Sequence, residues 1–207
     1  AVNYYSVNSD SELKGEVVSL NPCLNFNWKQ NEGDSHLVNT NLFGSYNLYN
    51  FLAAIRIGVY FNVPVQKINK SLEDYIPSNN RSQISRTEKN TLLVDCYNAN
   101  PTSMHSAISS FAQTESSNKI AIIGDMLELG EEAVQKHKEI IQLLNKLQIN
   151  YFTVGPIFQN VEENKAIFKS SVSAELNEYL TNNPLKNNFV LLKGSRGIAL
   201  EKLITLL

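Results

Sequence analysis

The sequence predicts an α/β fold: a small sheet with two helices, followed by a doubly wound domain with a mostly parallel sheet. Short runs of alternating apolar and polar residues fill positions 1–40 and are typical of antiparallel strands. Strand-like and helix-like patterns then alternate from residue 91 to the end. Between these parts, residues 76–82 are rich in Pro, Ser and Asn, which makes them the best candidate linker.

The first part is predicted to form an antiparallel sheet and then two helices. Strand patterns occupy 4–7, 16–20, 24–28 and 36–40, with a turn signal at 31–34, so Tyr4, Tyr5 and Trp28 are expected to be sheet residues. Ser45 is predicted as the N-cap of the first helix. The buried face of that helix is predicted from helical spacing at Leu48, Phe51, Leu52, Ile55 and Val59. A second helix is predicted from Pro64, at its first position, to about Tyr75.

The second part is predicted to be a doubly wound domain of about 125 residues, which is a usual domain size. Its predicted strands are 91–95, 119–123, 150–154, 166–169 and 189–192. Its predicted helices are 101–113, 131–148, 173–181 and 197–206.

Composition excludes several classes of protein. The net charge is −2, so the sequence has no excess of the basic residues by which a generic nucleic-acid binder holds phosphates. The longest apolar stretch, 51–61, is too short to cross a bilayer and contains Arg56, so no membrane insertion is expected. Cys23 and Cys96 are far apart and have no metal-binding spacing, which favours a reducing cytoplasm. No signal-peptide pattern is present at the start. Because the chain opens at Ala1 without an initiator Met, we expect a piece of a longer protein or a processed chain.

Three apolar runs end in polar or glycine-bearing turns. The run at 92–94 leads into 95–104, the run at 120–123 leads into 124–130, and the run at 190–192 leads into 193–197. Ligands of α/β folds bind at the carboxyl ends of parallel strands, so the three turns predict one shared site. No triphosphate-binding G-x-x-x-x-G-K-[ST] loop is present in the sequence.

Each candidate site residue can be explained either by a binding role or by a purely structural one, and its local sequence pattern does not decide between them. Asn47 and Asn50 share a helix face and either read an adenine edge or merely begin the helix. Arg81 either clamps a phosphate or is solvated, and Asp95 either accepts from ribose or caps its turn. The glycine turns either grip anions or are tight connections that need Gly for their backbone angles. The three histidines, His137 among them, are expected on the surface or in capping roles, and a nucleophilic role for Cys96 is disfavoured.

An ordered set of motifs resembles the Mur ligases. It comprises G-S-Y-N-L-Y-N at 44–50, N-N-R at 79–81, D-C-Y-N-A-N-P-T-S-M at 95–104, G-D-M-L-E-L-G at 124–130 and L-L-K-G-S-R-G at 191–197. The similarity runs from about residue 37 to the end. It is greatest to the members that add D-alanyl-D-alanine to UDP-N-acetylmuramoyl-tripeptide. It implies that 1–78 is the C-terminal part of a central ATP-binding domain and that 79–207 is a Rossmann-like C-terminal domain.

The resemblance implies an ATP-dependent amide ligase of peptidoglycan precursor synthesis in the bacterial cytoplasm, acting as a monomer. ATP phosphorylates the tripeptide carboxylate, and the D-Ala-D-Ala amine then displaces phosphate from the acyl phosphate. The ATP loop, the Mg²⁺ ligands and the UDP pocket of the family lie upstream of these residues. We therefore expect the chain to be the C-terminal piece of a roughly twice longer enzyme, inactive in isolation and without metal ligands of its own.

Carried over position by position, the resemblance also implies residue roles. ATP contacts are implied for Asn47, Asn50, Arg81, Asp95 and Tyr97, with adenine at the two asparagines, ribose at Asp95 and the terminal phosphate at Arg81. Contacts with D-Ala-D-Ala are implied for Asn98, Asn100, Asp125, Lys193, Ser195 and Arg196. Arg81 and Lys193 are the implied catalytic residues. Tyr46 stands where many relatives have His, and Tyr is not a cation near neutral pH.

Two other hypotheses stay open at this point. The chain is alternatively a stand-alone module that binds a nucleotide or a small peptide without chemistry. A sibling ligase such as folylpolyglutamate synthase is disfavoured by the Y-N-A-N-P-T-S-M run at 97–104.

Overall fold

The computed structural model describes residues 5–7 and 11–207. It divides the chain into two compact units, Ala1–Pro77 and Ser78–Leu207.

None of the helices in the described ranges is long and apolar enough to cross a membrane.

In its described residues, the first unit contains a sheet of four strands in sequence order, and two helices. The strands are β1 (Tyr5–Ser6), β2 (Leu13–Ser19), β3 (Cys23–Gln30) and β4 (His36–Phe43). The helices are α1 (Leu48–Tyr60) and α2 (Val65–Asp74). The predicted antiparallel pairing is confirmed for β2, β3 and β4, but β1 pairs parallel to β2. Alternation predicts a strand without fixing its direction, which explains that error; Tyr4 lies outside the described residues.

Alternate residues of β3 and β4 form a core with α1 and α2. Leu24 and Phe26 of β3 are buried with Leu52 and Ile55 of α1. Trp28 is a buried sheet residue, as predicted, and its indole N–H donates to Asn69 Oδ1 of α2 at 2.9 Å. This bond ties α2 to the sheet.

The beginnings of the two helices differ slightly from prediction. Ser45 does not cap α1; it begins a short 3₁₀ turn, Ser45–Asn47, after Gly44 at φ +90°. Pro64 precedes α2 rather than beginning it, and its carbonyl accepts from the N–H groups of Lys67 and Ile68. The 3₁₀ turn explains the first difference, because it supplies the geometry that a capping side chain would otherwise supply.

The second unit is an α/β domain with a mostly parallel sheet, as predicted. Its strands are β5 (Gln83–Arg86), β6 (Thr91–Asp95), β7 (Lys119–Gly124), β8 (Asn150–Val154), β9 (Lys169–Ser170) and β10 (Phe189–Lys193). They are ordered β5-β6-β10-β7-β8-β9. Only β5 is antiparallel to its neighbour; the remaining strands pair in parallel.

Helices cover both faces of this sheet. They are α3 (Pro101–Ala112), α4 (Ala133–Lys146), α5 (Pro156–Gln159) and α6 (Ser173–Asn182). Helices α3 and α4 contact each other, whereas α6 contacts the C-terminal segment. On the α6 side, Leu176 and Leu180 pack in one apolar cluster with Leu92, Val190 and Leu203. Burial on both faces explains why β6 and β10 are almost continuously apolar.

Four details of the second unit differ from the sequence predictions. Strand β5 and helix α5 were not predicted. The strand predicted at 166–169 is only Lys169–Ser170. The helix predicted at 197–206 is instead two 3₁₀ segments, Arg196–Ile198 and Leu200–Leu203, separated by Ala199 at φ +57°. A residue in the left-handed region cannot continue an α-helix, so the segment turns at Ala199.

Candidate functional site

The carboxyl ends of β6, β10 and β7 meet at one edge of the second-unit sheet. Lys193 at the end of β10 is in register with Asp95 on one side and with Ile123 on the other. In-register neighbours on adjacent strands are about 4.8 Å apart and point to the same face. The pairing therefore brings the three predicted turns together.

Asp95 and Lys193 form a buried ion pair at this edge. Lys193 Nζ lies 3.0 Å from Asp95 Oδ2, and their side chains are 3% and 12% exposed. The ammonium also donates to the carbonyl of Asn98 at 2.8 Å. The cation predicted to face the dipeptide is thus engaged within the protein, whereas the carboxylate keeps lone pairs for another donor.

Asp95 also holds the linker turn that carries Arg81. The backbone N–H of Ser82 donates to Asp95 Oδ1 at 3.0 Å. Asn80 and Ser82 both have left-handed backbone angles, φ +57° and +49°, so the turn around Arg81 is sharp. This places Arg81 beside the end of β6.

Tyr97 lies beneath two exposed guanidinium groups. The Cζ atom of Arg81 is 4.0 Å from the ring centroid, and that of Arg196 is 5.5 Å from it. Within the described part of the chain, neither guanidinium forms an ion pair or a hydrogen bond. Both cations are therefore free to bind an anion from solution.

Asn98 and Asn100 are largely occupied in shaping the turn before α3. Asn100 Oδ1 accepts from the N–H of Ser103 at 2.8 Å, and Ser103 Oγ accepts from the N–H of Asn100 at 3.1 Å. This reciprocal pair is a capping box, and Pro101 begins the helix. Asn98 Oδ1 accepts from the N–H of Ala99, and the side chain is exposed.

Asp125 is fully buried at the end of β7. Its two carboxylate oxygens accept from the N–H groups of Ile157 and Phe158, each at 2.9 Å. Backbone N–H groups at the beginning of a helix are unsatisfied within it, so the carboxylate caps α5. The side chain itself does not reach solvent in this structure.

His137 was expected on the surface or in a capping role, but its side chain is fully buried beside Asp125. Its Nε2 accepts from the N–H of Met126 at 3.0 Å, so the ring proton is on Nδ1 and is donated to the carbonyl of Ala133 at 2.6 Å. A sequence signal existed: positions 137, 140, 141 and 144 share one face of α4, and the other three are apolar. The flanking lysines concealed it.

The turns after β7 and β10 contact each other directly. Ser195 Oγ accepts from the N–H of Leu127 at 2.9 Å, and its own N–H donates to the carbonyl of Asp125 at 3.1 Å. A Cβ atom on Gly194 would lie 2.8 Å from the Cα of Gly124. Neither glycine has a positive φ, so close approach of two backbones, rather than a special backbone angle, requires them.

Asn47 and Asn50 belong to the first unit and are bonded to each other. Asn50 Nδ2 donates to Asn47 Oδ1 at 3.0 Å, while Asn47 Nδ2 donates to the carbonyl of Phe43 at 2.7 Å. Asn47 is buried and Asn50 is exposed. Asn47 therefore orients Asn50, whose carbonyl oxygen and second N–H can bind a ligand.

The Cys96 thiol lies under the site and is unsuited to nucleophilic chemistry. Burial, followed by the negative charges of Glu201 and Asp95, raises its pKa from 9.0 to about 12. Thiolate is the reactive form of cysteine, so the buried group is inert near neutral pH.

The raised pKa of Cys96 predicts a loss of stability at alkaline pH. Between about pH 9 and pH 12 the unfolded chain releases this proton and the folded chain retains it, so the free energy of unfolding falls as pH rises. Between about pH 8 and pH 10, we expect the free energy of unfolding to fall by about 1 kcal/mol less in Cys96→Ala than in the wild type. Urea unfolding at the two pH values measures this difference. Equal losses in the two proteins would contradict this prediction.

Neither metal ligands in the described part of the chain nor one polar cavity marks this edge. The described residues contain no group of three His, Cys, Asp or Glu side chains that could hold a metal ion. A polar cavity of about 240 Å³ is lined by Ala112, 117–120, 147–150 and Asn188. It lies at the amino ends of β7 and β8 and contains none of the predicted site residues.

The chain matches the Mur ligase, glutamate ligase domain, over residues 80–196. Its curated relatives include the UDP-N-acetylmuramoyl-tripeptide–D-alanyl-D-alanine ligases of Treponema pallidum, 33% identical over 172 residues, and of Bacillus subtilis, 31% identical over 173 residues. Each alignment covers 79% of this chain but only 37% and 38% of the relative. The chain thus spans less than half the length of these relatives.

Solved structures show the same fold. A crystal structure of MurF from Acinetobacter baumannii superposes with a TM-score of 0.82 over 97% of this chain and 45% of that one, at 24% identity. MurF ligase from Thermotoga maritima in complex with ADP gives a TM-score of 0.78 over 93% of this chain and 45% of that one, at 20% identity. The family match covers more than half of the sequence and includes every predicted site residue of the second unit, so the chain belongs to the Mur ligase family.

Proposed function

We propose that the chain is part of an ATP-dependent ligase that adds D-Ala-D-Ala to UDP-N-acetylmuramoyl-tripeptide in peptidoglycan precursor synthesis. The observation that carries the proposal is the strand edge that holds the Asp95–Lys193 pair and, at the ring of Tyr97, the two unpaired guanidinium groups of Arg81 and Arg196. Such an edge suits a nucleotide and an anionic acceptor together. The names of the 31–33% identical relatives support the same reaction.

The proposed reaction has two steps. The tripeptide carboxylate attacks the terminal phosphorus of ATP, forming an acyl phosphate and releasing ADP. The amine of D-Ala-D-Ala then attacks the acyl carbon, inorganic phosphate leaves, and the nitrogen loses a proton to give the amide. Positioning and charge neutralisation dominate phosphoryl transfer, so we assign binding and orienting roles, rather than nucleophilic ones, to this chain.

On the nucleotide side, exposed Asn50 reads the adenine edge and buried Asn47 orients it. The free lone pairs of Asp95 accept from ribose hydroxyl groups, and Arg81 reaches the terminal phosphate. Tyr97 lies next to that phosphate.

On the acceptor side, exposed Arg196 binds the dipeptide carboxylate in two-point fashion. Lys193 contributes by holding Asp95 and the carbonyl of Asn98, because its ammonium is buried. Asp125 and Ser195 shape the site indirectly, because their hydrogen bonds fix the turns after β7 and β10. Asn98 and Asn100 likewise shape the turn before α3. Arg196 is thus the exposed cation of the acceptor side, and the other residues shape the turns around it.

We further propose the organisation of the longer protein. Residues 1–78 form the C-terminal part of its central ATP-binding domain, and 79–207 form the Rossmann-like C-terminal domain. The ATP loop, the UDP-sugar site and the Mg²⁺ ligands belong to other parts of that protein. The described residues do not themselves fit a metal site. We propose that this enzyme acts as a monomer in the bacterial cytoplasm, where nucleotide substrates are available.

Calorimetric titration tests these assignments. We expect the chain to bind ADP and D-Ala-D-Ala separately. Arg196→Gln should remove dipeptide binding. Asn50→Ala should weaken only ADP binding, by about tenfold, because one hydrogen-bonding contact is lost. Both variants alter exposed side chains, so each serves as the folding control for the other. Absence of binding for both ligands, or dipeptide binding that survives Arg196→Gln, would contradict the assignment.

A further inference from the structure

We propose that Tyr97 is a positioning residue that holds Arg81 and Arg196 around one aromatic ring and so sets the spacing between the two anion-binding cations. The proposal rests on the function proposed above, because it assigns one cation to the phosphate and the other to the acceptor carboxylate. The juxtaposition itself is independent of that function.

The ring is a common contact of two otherwise unrelated segments. Arg81 comes from the linker turn, and Arg196 begins the 3₁₀ segment after β10. Both guanidinium carbons lie within the 6 Å at which a cation is attracted to the face of an aromatic ring, at 4.0 and 5.5 Å from its centroid.

The backbone on either side of the ring is fixed. Cys96 before it is buried, and the carbonyl of Asn98 after it accepts from Lys193 Nζ at 2.8 Å. Because Lys193 is also paired with Asp95, the same ion pair anchors the ring and, through Ser82, the Arg81 turn. The backbone that carries Tyr97 is therefore anchored on both sides of the ring.

Two cations at one edge repel each other, and no described carboxylate neutralises either guanidinium. The negative face of the ring attracts both of them and opposes their separation. The ring thus keeps both cations at one edge, where a reaction with a phosphate and a carboxylate in one site requires them.

Nuclear magnetic resonance on the ¹⁵N-labelled chain tests the geometry without any ligand. The Nε–Hε signals of Arg81 and Arg196 are assigned by their loss in Arg81→Lys and Arg196→Lys. We expect both protons to be shifted upfield by the ring current, with Arg81 shifted more. The shifts should disappear in Tyr97→Leu and persist in Tyr97→Phe, which keeps the ring. Shifts that are absent in the wild type, or unchanged in Tyr97→Leu, would overturn the proposal.

Ligand titration tests the consequence. Tyr97→Leu should weaken the binding of both ATP and D-Ala-D-Ala by about fivefold to tenfold, and Tyr97→Phe should change neither more than about twofold. Arg81→Lys should affect only ATP, and Arg196→Lys only the dipeptide. An effect of Tyr97→Leu on ATP alone would make Tyr97 a nucleotide contact and refute the positioning role. If the wild-type chain binds neither ligand but its arginine signals depend on the ring, the proposed function fails while the positioning of the cations stands.

Discussion

Alanine at position 155 is expected to lower the free energy of unfolding of the second unit by about 4 kcal/mol or more. Gly155 has φ +128° and ψ +149°, a region that only glycine occupies readily. An added Cβ would also lie 2.2 Å from the Cγ of Asp125. The buried carboxylate would have to move and would lose its bonds to Ile157 and Phe158.

Gly130→Ala provides the matched control. Gly130 also has a positive φ, +54°, but a Cβ there would meet no atom within 4 Å. We expect this variant to lose only about 1 kcal/mol, the cost of a left-handed alanine. Urea unfolding of the two variants measures the difference, and equal losses would show that the contact with Asp125 is unimportant.

Methionine in place of Lys193 is expected to destabilise the chain by about 3–5 kcal/mol, because it leaves the buried Asp95 carboxylate without its cation. Methionine keeps most of the side-chain volume, so packing changes little. The carbonyl of Asn98 also loses its donor. Loss of ligand binding in any Lys193 variant would therefore not by itself identify a catalytic lysine.

A double variant separates charge from structure. Asp95→Asn combined with Lys193→Met removes both charges, and we expect it to recover most of the stability lost in Lys193→Met alone. Thermal or urea unfolding of the wild type, both single variants and the double variant gives the coupling between the two groups. Additive losses would contradict the ion pair as the source of the effect.

Much of the second unit could be predicted because local signals agree with the fold. Continuous apolar runs predict β6, β7 and β10 as strands buried on both faces. Pro101 after Asn100 predicts the beginning of α3 almost to the residue. Strand β5 was missed because Gln83–Arg86 is short, polar and partly exposed, and pairing with β6 rather than local pattern makes it a strand.

The C-terminal segment shows the converse error. Leu200, Leu203 and Leu207 recur at helical spacing and are buried, which favours an α-helix. Nothing local in the sequence marks Ala199 for the left-handed region, which ends the first 3₁₀ segment there. Packing against the sheet decides that conformation.

At the candidate site, the sequence located the edge but not the partners of each charge. Strand ends identify Asp95, Asp125 and Lys193 as neighbours of one site. The partners of these three side chains depend on strand register and burial. Strand β10 lies between β6 and β7 in the sheet, although it is the last strand in the sequence. No pattern along the chain shows that Lys193 is paired with Asp95 or that Asp125 caps α5.

The pairing of Asp95 with Lys193 also constrains how this sequence can evolve. A change at either position alone passes through a variant with an unneutralised buried charge, which selection for a folded protein opposes. Substitutions at 95 and 193 should therefore appear together in descendants of this chain or not at all, although the two codons are far apart in the gene. Covariation between these positions would be a genetic trace of a bond inside the protein.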